Sequence, residues 1–306
     1  MKFGCSLIVR GSHATQGNLR TLAKQAEAWG FHSLWASDHI IIPPRETSHY
    51  PGSATGQFPD FWLERYFEPL AILNYVAGCT ERILLGTSVL ILPMRNPIEV
   101  AKEVAGADVL SGGRILFGVG VGWFKEEFEV LRQPFHERGR RMDEYVQICK
   151  ALWTQEPASF TGQYYQFHQA HFGPKPVQTP HPPILIAGHS PAALRRAARL
   201  GNGWHPFALP PDALRQVVPQ FHAAVREAGR SLEEFDMSIK LRLRFGTGPN
   251  PQPPLHGSPT EVIAAIKAYQ ELGVQHIVLD FAPETIGNAL STLERFVRDV
   301  RPAFEA

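Results

Sequence analysis

Two neighbouring side chains in this 306-residue chain, Asp38 and His39, set a carboxylate beside an imidazole. An imidazole titrates near pH 6.5, at about the pH where proton transfer is needed, and an adjacent carboxylate can orient it or hold another polar group. A second group is the glycine triplet Gly118, Gly120 and Gly122 in "GRILFGVGVGWFKEEF", followed by Trp123. Glycines at alternate positions admit a close approach by another backbone, a bulky side chain or a bound molecule. A third is Ala187-Gly188-His189-Ser190, directly ahead of Pro191. Small residues and a hydroxyl before a proline-started helix suit an anion, which backbone N–H groups and the positive helix end would hold. A fourth, Gly86-Thr87-Ser88-Val89, closes a β-branched run.

Each group also has a plainer explanation. Asp38 could cap a turn and His39 sit at the surface, Ser190 could serve only as the cap of its helix, and the glycines could merely let strands pack around larger side chains. What separates the readings is whether the four groups meet in space, so the elements that carry them matter.

Composition removes several alternatives. With 30 basic and 29 acidic residues, the net charge of +1 gives no field for nucleic acid or an anionic lipid surface. Apolar runs such as 83–92 fall far short of the roughly 20 residues that cross a bilayer. The start "MKFGCSLIVRG" reads as a first strand rather than a secretion signal, so a cytoplasmic location is expected. Cys5, Cys79 and Cys149 are too far apart for a disulfide framework or zinc knuckle. The 13 histidines include His168 and His171 but no His-Glu-x-x-His, and no metal site is expected. The glycine triplet lacks the spacing and the early position of a dinucleotide fingerprint, and no Gly-Lys-Ser/Thr follows it to make a phosphate loop.

Strand-like and helix-like stretches alternate along the chain. Strands are expected at 3–8, 32–36, 83–91, 114–119, within "PPILIAG", at 203–206, 237–244 and 276–281, with helices near 18–29, 68–79, 97–110, 138–153, 191–200, 211–228, 259–272 and 285–300. Eight strands alternating with eight helices is the count of a TIM (β/α)8 barrel, an α/β fold of about 250 residues. The surplus falls into two insertions, the Pro-rich stretch after strand 2 and a hairpin, "ASFTGQYYQF", before strand 5. No composition shift divides residues 1–306, which are read as one domain. In such a barrel chemistry sits at the C-terminal strand ends, and all four groups fall there.

Read together and in order, "SDH" at 37–39, "RILLGTSVLILPMRNP" at 82–97, "GRILFGVGVGWFKEEFEVL" at 113–131, "FHERGRRMDEY" at 135–145, "PKPVQ" at 174–178 and "AGHSPAALRRAARLGNGWHP" from 187 resemble the bacterial luciferase-like flavin oxidoreductases. The similarity is greatest to the branch that uses the deazaflavin coenzyme F420. The resemblance implies that a cofactor ring lies in the barrel mouth against a bulge with a non-proline cis peptide, Ser88–Val89. Asp38 and His39 would flank the ring, Gly118, Gly120 and Gly122 would let the cofactor pass close to the backbone with Trp123 as an aromatic wall, and Ala187, Gly188, His189 and Ser190 would cradle the phosphate. His39 would act as general acid or base, with Asp38 tethering the ring or orienting the imidazole. The resemblance further implies a small-molecule substrate and a homodimer.

Two departures from the family pattern bear on the chemistry. Trp123 stands where the sugar-phosphate dehydrogenases of the family carry an acid–base glutamate, which disfavours glucose-6-phosphate oxidation. Val121 stands where the luciferases carry an arginine for the FMN phosphate, which favours the deazaflavin. Three functions stay open: an F420-dependent oxidoreductase, an FMN-dependent monooxygenase supplied by a separate reductase, and a flavin-binding barrel without chemistry. Phe58, Phe61, Trp62, Trp123 and Phe124 suggest a substrate less polar than a sugar phosphate.

Overall fold

The structure, a computed structural model, describes residues 1–44, 48–50, 56, 64–248, 253–281 and 285–305. Short apolar strands alternate with helices from the first residues onward. They are β1 (Lys2–Ser6), α1 (Gln16–Ala28), β2 (Ser33–Ala36), α2 (Pro69–Ala77), β3 (Leu84–Thr87), β4 (Leu90–Ile91), α3 (Pro97–Ser111), β5 (Ile115–Gly120), α4 (Lys125–Val130) and α5 (Arg138–Thr154). After the hairpin β6 (Ala158–Thr161) and β7 (Gln166–Ala170) come β8 (Ile184–Ala187), α6 (Pro191–Leu200), β9 (Gly203–His205), α7 (Pro211–Glu227) and β10 (Asp236–Phe245). The chain ends with β11 (Leu255–Gly257), α8 (Pro259–Glu271), β12 (His276–Asp280) and α9 (Ile286–Asp299).

Among the described residues, the parallel pairs β1–β2, β2–β3, β3–β5, β5–β8, β8–β9, β9–β10, β10–β12 and β12–β1 close a ring of eight strands. This is the TIM barrel expected from the alternation, an α/β fold. Its strands are buried on both faces, which is why β8 (ILIA) and β12 (HIVLD) are near-continuous apolar runs rather than alternating ones. Helix starts follow local chemistry. The Asn96 side chain accepts from Ile98 N ahead of Pro97, Ser190 from Ala193 N ahead of Pro191, and Ser258 from Glu261 N ahead of Pro259.

Inside the ring Trp35 fills the centre, and a Cβ on the facing Gly86 would lie 2.5 Å from its indole. The indole stacks on His205 with centroids 5.1 Å apart and donates to Ser33 Oγ at 2.6 Å, which also meets His276 Nε2 at 2.9 Å. Burial pushes the His205 imidazole down to about 3, with nearby Lys240 acting in the same direction, and burial likewise holds His276 well below its ordinary value. Both rings are therefore neutral at pH 7.

Two elements near the site differ from the sequence reading, as does the short strand β11, which it did not include. The single strand expected over 83–91 is split: the ladder stops at Thr87 and restarts at Leu90, and the intervening Ser88–Val89 peptide is cis. The short helix α4 is also new, because six residues with glutamates in the first turn carry too little periodicity to stand out. The hairpin β6–β7 pairs antiparallel outside the ring, as its sequence suggests. Among the described residues no helix is long and apolar enough to cross a membrane.

Candidate active site

The C-terminal strand ends enclose a cavity of about 400 Å³. Asp38, His39, Ser88, Val89, Gly120, Gly122, Trp123, Ala187, Gly188 and His189 all line it. Ser190 is not among the lining residues; its hydroxyl accepts from Ala193 N at 3.3 Å and caps α6. Phe58, Phe61 and Trp62 lie outside the described residues.

His39 follows β2 and is buried. Its Nδ1 lies 2.7 Å from Glu127 Oε2 on α4, while Glu127 Oε1 accepts from Ile40 N at 2.7 Å and Ile41 N at 3.2 Å. A carboxylate already bonded to two amides stays an acceptor, so Nδ1 donates toward Glu127, and in the neutral ring this leaves the lone pair on Nε2. The imidazole edge meets Tyr66 at 5.2 Å and Trp123 at 6.1 Å between centroids. The residue that orients the imidazole is thus Glu127 rather than its neighbour Asp38.

Asp38 has a different employment. Its Oδ2 accepts from Ile91 N at 2.8 Å and Arg95 Nη1 at 2.7 Å, and its Oδ1 from Arg95 Nη2 at 2.8 Å. This fork-to-fork pair is geometrically demanding and ties the end of β2 to the turn after β4. Burial alone would lower the Arg95 guanidinium, but Asp38 outweighs it and raises it above its ordinary value.

The three glycines do different jobs. A Cβ on Gly118 would lie 1.9 Å from Thr87 O, and Thr87 Oγ1 in turn donates to Gly118 O at 2.6 Å. Gly118 therefore lets β3 and β5 close on each other and does not line the cavity. A Cβ on Gly120 would lie 2.6 Å from Val89 Cγ2, and one on Gly122 2.7 Å from Ile91 Cγ2. These two make room for the wall formed by the split third strand. That wall is pinned from below, since Ser88 N donates to Ala36 O at 2.7 Å and Ser88 Oγ meets His205 Nε2 at 2.8 Å.

Opposite, β8 turns into α6 through Gly188, whose φ of +100° is one that side chains rarely adopt. A Cβ there would also sit 3.0 Å from Ala193 Cβ in the first turn of α6. The Gly188 carbonyl accepts from Trp204 Nε1 at 2.7 Å, which fixes the turn against β9. A left-handed glycine feeding a ten-residue helix, beside an apolar-walled cavity, fits a planar ring with a phosphate-bearing tail.

Sequence reasoning missed Glu127, Arg95, Arg10, Tyr50, Tyr66, Lys240 and Asp280. Most are single polar residues inside ordinary-looking segments; only a position at or beyond a strand end could have marked Arg10 and Asp280, and Lys240 lies in the middle of β10.

Comparison with known proteins agrees with this geometry. An uncharacterized protein of Mycobacterium tuberculosis, Rv0940c, is 30% identical over 280 residues, covering 91% of this chain and 90% of that one. An F420-dependent glucose-6-phosphate dehydrogenase of Kineococcus radiotolerans is 31% identical over 238 residues, 76% of this chain and 65% of that one. An FMNH(2)-dependent dimethylsulfone monooxygenase of Pseudomonas putida is 32% identical over 217 residues, 70% of this chain and 55% of that one. Among solved structures, monooxygenase RslO1 from Streptomyces bottropensis superposes with a TM-score of 0.80 at 22% identity, covering 99% of this chain and 100% of that one. The coenzyme F420-dependent tetrahydromethanopterin reductase from Methanopyrus kandleri does so at 0.79 and 19%, covering 99% of each. With the profile of the luciferase-like monooxygenases matching residues 1–249, the barrel and its cavity are those of a member of that family, to which this chain belongs.

Proposed function

We propose that this protein is an F420-dependent oxidoreductase acting on a small organic substrate. The observation that carries the reading is convergence: Asp38, His39, the Ser88–Val89 wall, Gly120, Gly122, Trp123 and the turn 187–189 meet in one cavity. The deazaflavin, when bound, supplies or accepts a hydride. Val89, Gly120, Gly122 and Trp123 line one side of the cavity and would hold the ring. Ala187, Gly188 and His189, with the capped start of α6, hold the phosphate. Asp38, saturated by Arg95 and Ile91, is a structural tie for the ring-binding wall rather than a proton carrier. His39 exchanges the proton that accompanies hydride transfer, through Nε2, because Glu127 keeps Nδ1 protonated.

The similarity to the F420-dependent dehydrogenase and the presence of Val121, not arginine, in the cavity wall support the deazaflavin. The similarity to the dimethylsulfone monooxygenase favours a second reading, an FMN-dependent monooxygenase served by a separate reductase. Titration of the purified protein with oxidised F420 and with FMN separates them. The proposal requires F420 to bind about tenfold or more tightly than FMN; micromolar binding of FMN alone would overturn it.

A further inference from the structure

The residues assigned to the cofactor lie at the ends of β2, β3, β5 and β8, one continuous arc of the rim. The next strands around the ring, β9 and β10, bring Phe207, Ala208, Leu209 and Lys240 to the same cavity, and the proposed function leaves these unused. The turn after β9 is held in a conformation that its sequence does not favour. Ala208 has a φ of +52°, in the left-handed region that residues other than glycine rarely enter. Ala208 N donates to Lys240 O at 3.0 Å, Lys240 N donates to Pro206 O at 3.3 Å, and Leu209 O accepts from the buried Tyr269 hydroxyl at 2.8 Å, which together keep it there. A non-glycine residue kept at such an angle on the rim of a cavity points to a turn whose side chains are placed for a ligand.

Lys240 is only 4% exposed, yet it lines the cavity. Its charge is matched, since Nζ lies 3.5 Å from Asp280 Oδ1. Burial lowers the Lys240 ammonium while Asp280 raises it, and Lys240, Arg10 and Arg242 outweigh burial to hold the Asp280 carboxyl well below its usual range, so the proton of the pair stays on nitrogen. The hydrogen bonds of Lys240 are not matched in the same way. An ammonium carries three donors, and among the described residues the polar contact of Nζ is Asp280 Oδ1, at the limit of hydrogen-bonding distance. A buried donor left without an acceptor is costly. A neutral oxygen meets that need, whereas a second carboxylate would upset a charge pair already in balance. Lys240 offers only donors and Asp280 Oδ1 is buried, so this point suits an oxygen with no hydrogen of its own to give, such as a carbonyl.

We propose that Lys240 donates a hydrogen bond to a carbonyl oxygen of the substrate, whose apolar body rests on Phe207 and Leu209, so that the substrate class is a neutral ketone-type molecule. The inference rests on the proposed function for the cofactor arc. One well-placed donor beside apolar side chains fixes which way round a ligand lies in such a cavity.

The test is calorimetric titration with pairs matched in shape, in which a methylene group replaces the carbonyl oxygen: acetophenone with α-methylstyrene, cyclohexanone with methylenecyclohexane, and cyclohexyl methyl ketone with isopropenylcyclohexane. Benzoate is a further arm. At least one ketone is expected to bind about tenfold or more tightly than its hydrocarbon analogue, the size of one hydrogen bond to a charged donor. Lys240→Met should erase that preference while cofactor affinity stays within about threefold. Should that variant not fold, Lys240→Met combined with Asp280→Asn, which removes both charges of the pair, takes its place. Phe207→Ala should weaken both members of the pair alike, by about threefold or more, and keep the ketone preference. The infrared stretch of the bound carbonyl should lie at lower wavenumber in the wild type than in the lysine variant, a signature that a purely structural Lys240 would not give. The proposal is overturned if no ketone outperforms its analogue, if the preference survives the loss of Lys240, if the stretch does not move, if Phe207→Ala changes neither affinity, if Lys240→Met weakens cofactor instead, or if benzoate binds better than every ketone. Each pair is measured with and without cofactor. A ketone preference in a protein that binds neither F420 nor FMN sinks the functional reading alone, and cofactor binding without a ketone preference sinks this inference alone.

Discussion

His39 and Glu127 are 88 residues apart in sequence and 2.7 Å apart in space, Nδ1 to Oε2. One residue lies just beyond a barrel strand and the other belongs to a six-residue helix two units further on. The pair fixes the tautomer and orientation of the one imidazole that the proposed mechanism uses for proton transfer. Glu127→Gln keeps the shape but can present its amide nitrogen to Nδ1 and invert the tautomer. Turnover is expected to fall by about 10–10³-fold with cofactor affinity within a few-fold, as befits a group acting through another. Stopped-flow hydride transfer under saturating cofactor checks this, and an unchanged rate would dissociate Glu127 from the chemistry.

His39→Ala should lower turnover by roughly 10²–10⁴-fold, again without loss of cofactor. Because Glu127 would act only through the imidazole, the double variant should be no slower than His39→Ala, and additive losses would assign Glu127 a separate role. Steady-state kinetics of the two singles and the double suffice.

Gly118→Ala is expected to cost about 3 kcal/mol or more of stability, since the added methyl would meet a backbone carbonyl on the paired strand rather than a side chain that can turn away. Urea unfolding measures it. A variant as stable as wild type would mean that β3 and β5 can part without penalty.

Gly188→Leu should abolish cofactor binding, a loss of about 10²-fold or more, because it places a side chain in the turn that would hold the phosphate. Its φ of +100° adds a conformational penalty of about 1–3 kcal/mol, so melting temperature should drop without loss of the fold. Circular dichroism together with fluorescence titration separates the two effects.

Stability should decline as pH falls below about 6.5. Unfolded chains protonate their histidines there, while folded His205, held down to about 3, and His276, also held low, do not. The folded state loses up to about 1.4 kcal/mol per pH unit for each such histidine across the window from 6.5 toward 3, and neither contributes a slope above it. Urea midpoints at pH 7.5, 6.0 and 5.0 should therefore fall more steeply in the wild type than in His205→Gln; parallel slopes would contradict a neutral His205.

The barrel itself was readable in the sequence because its signals are local: apolar runs of four to six residues, caps such as Asn96, Ser190 and Ser258, and a proline at the first turn of each of those helices. The positions that line the cavity followed from the barrel, since strand ends are countable. The partners of those positions did not follow. Asp38 finds Arg95 and His39 finds Glu127 only when separate units close into a ring, and nothing in the spacing of a lone glutamate distinguishes Glu127 from Glu126 or Glu129 beside it. The division of labour among the glycines was equally illegible, because Gly118, Gly120 and Gly122 look alike until the side chains facing them are known.

The contact between the Gly120 backbone and Val89 Cγ2, which leaves 2.6 Å for any added carbon, also sets a rule for remodelling this cavity. Any larger residue at position 120 alone forces the Val89 side chain to shift, while a paired library that shrinks residue 89 as it enlarges residue 120 moves volume from one strand to the next at constant packing. Engineers who wish to reshape the slot should treat the two positions as one degree of freedom.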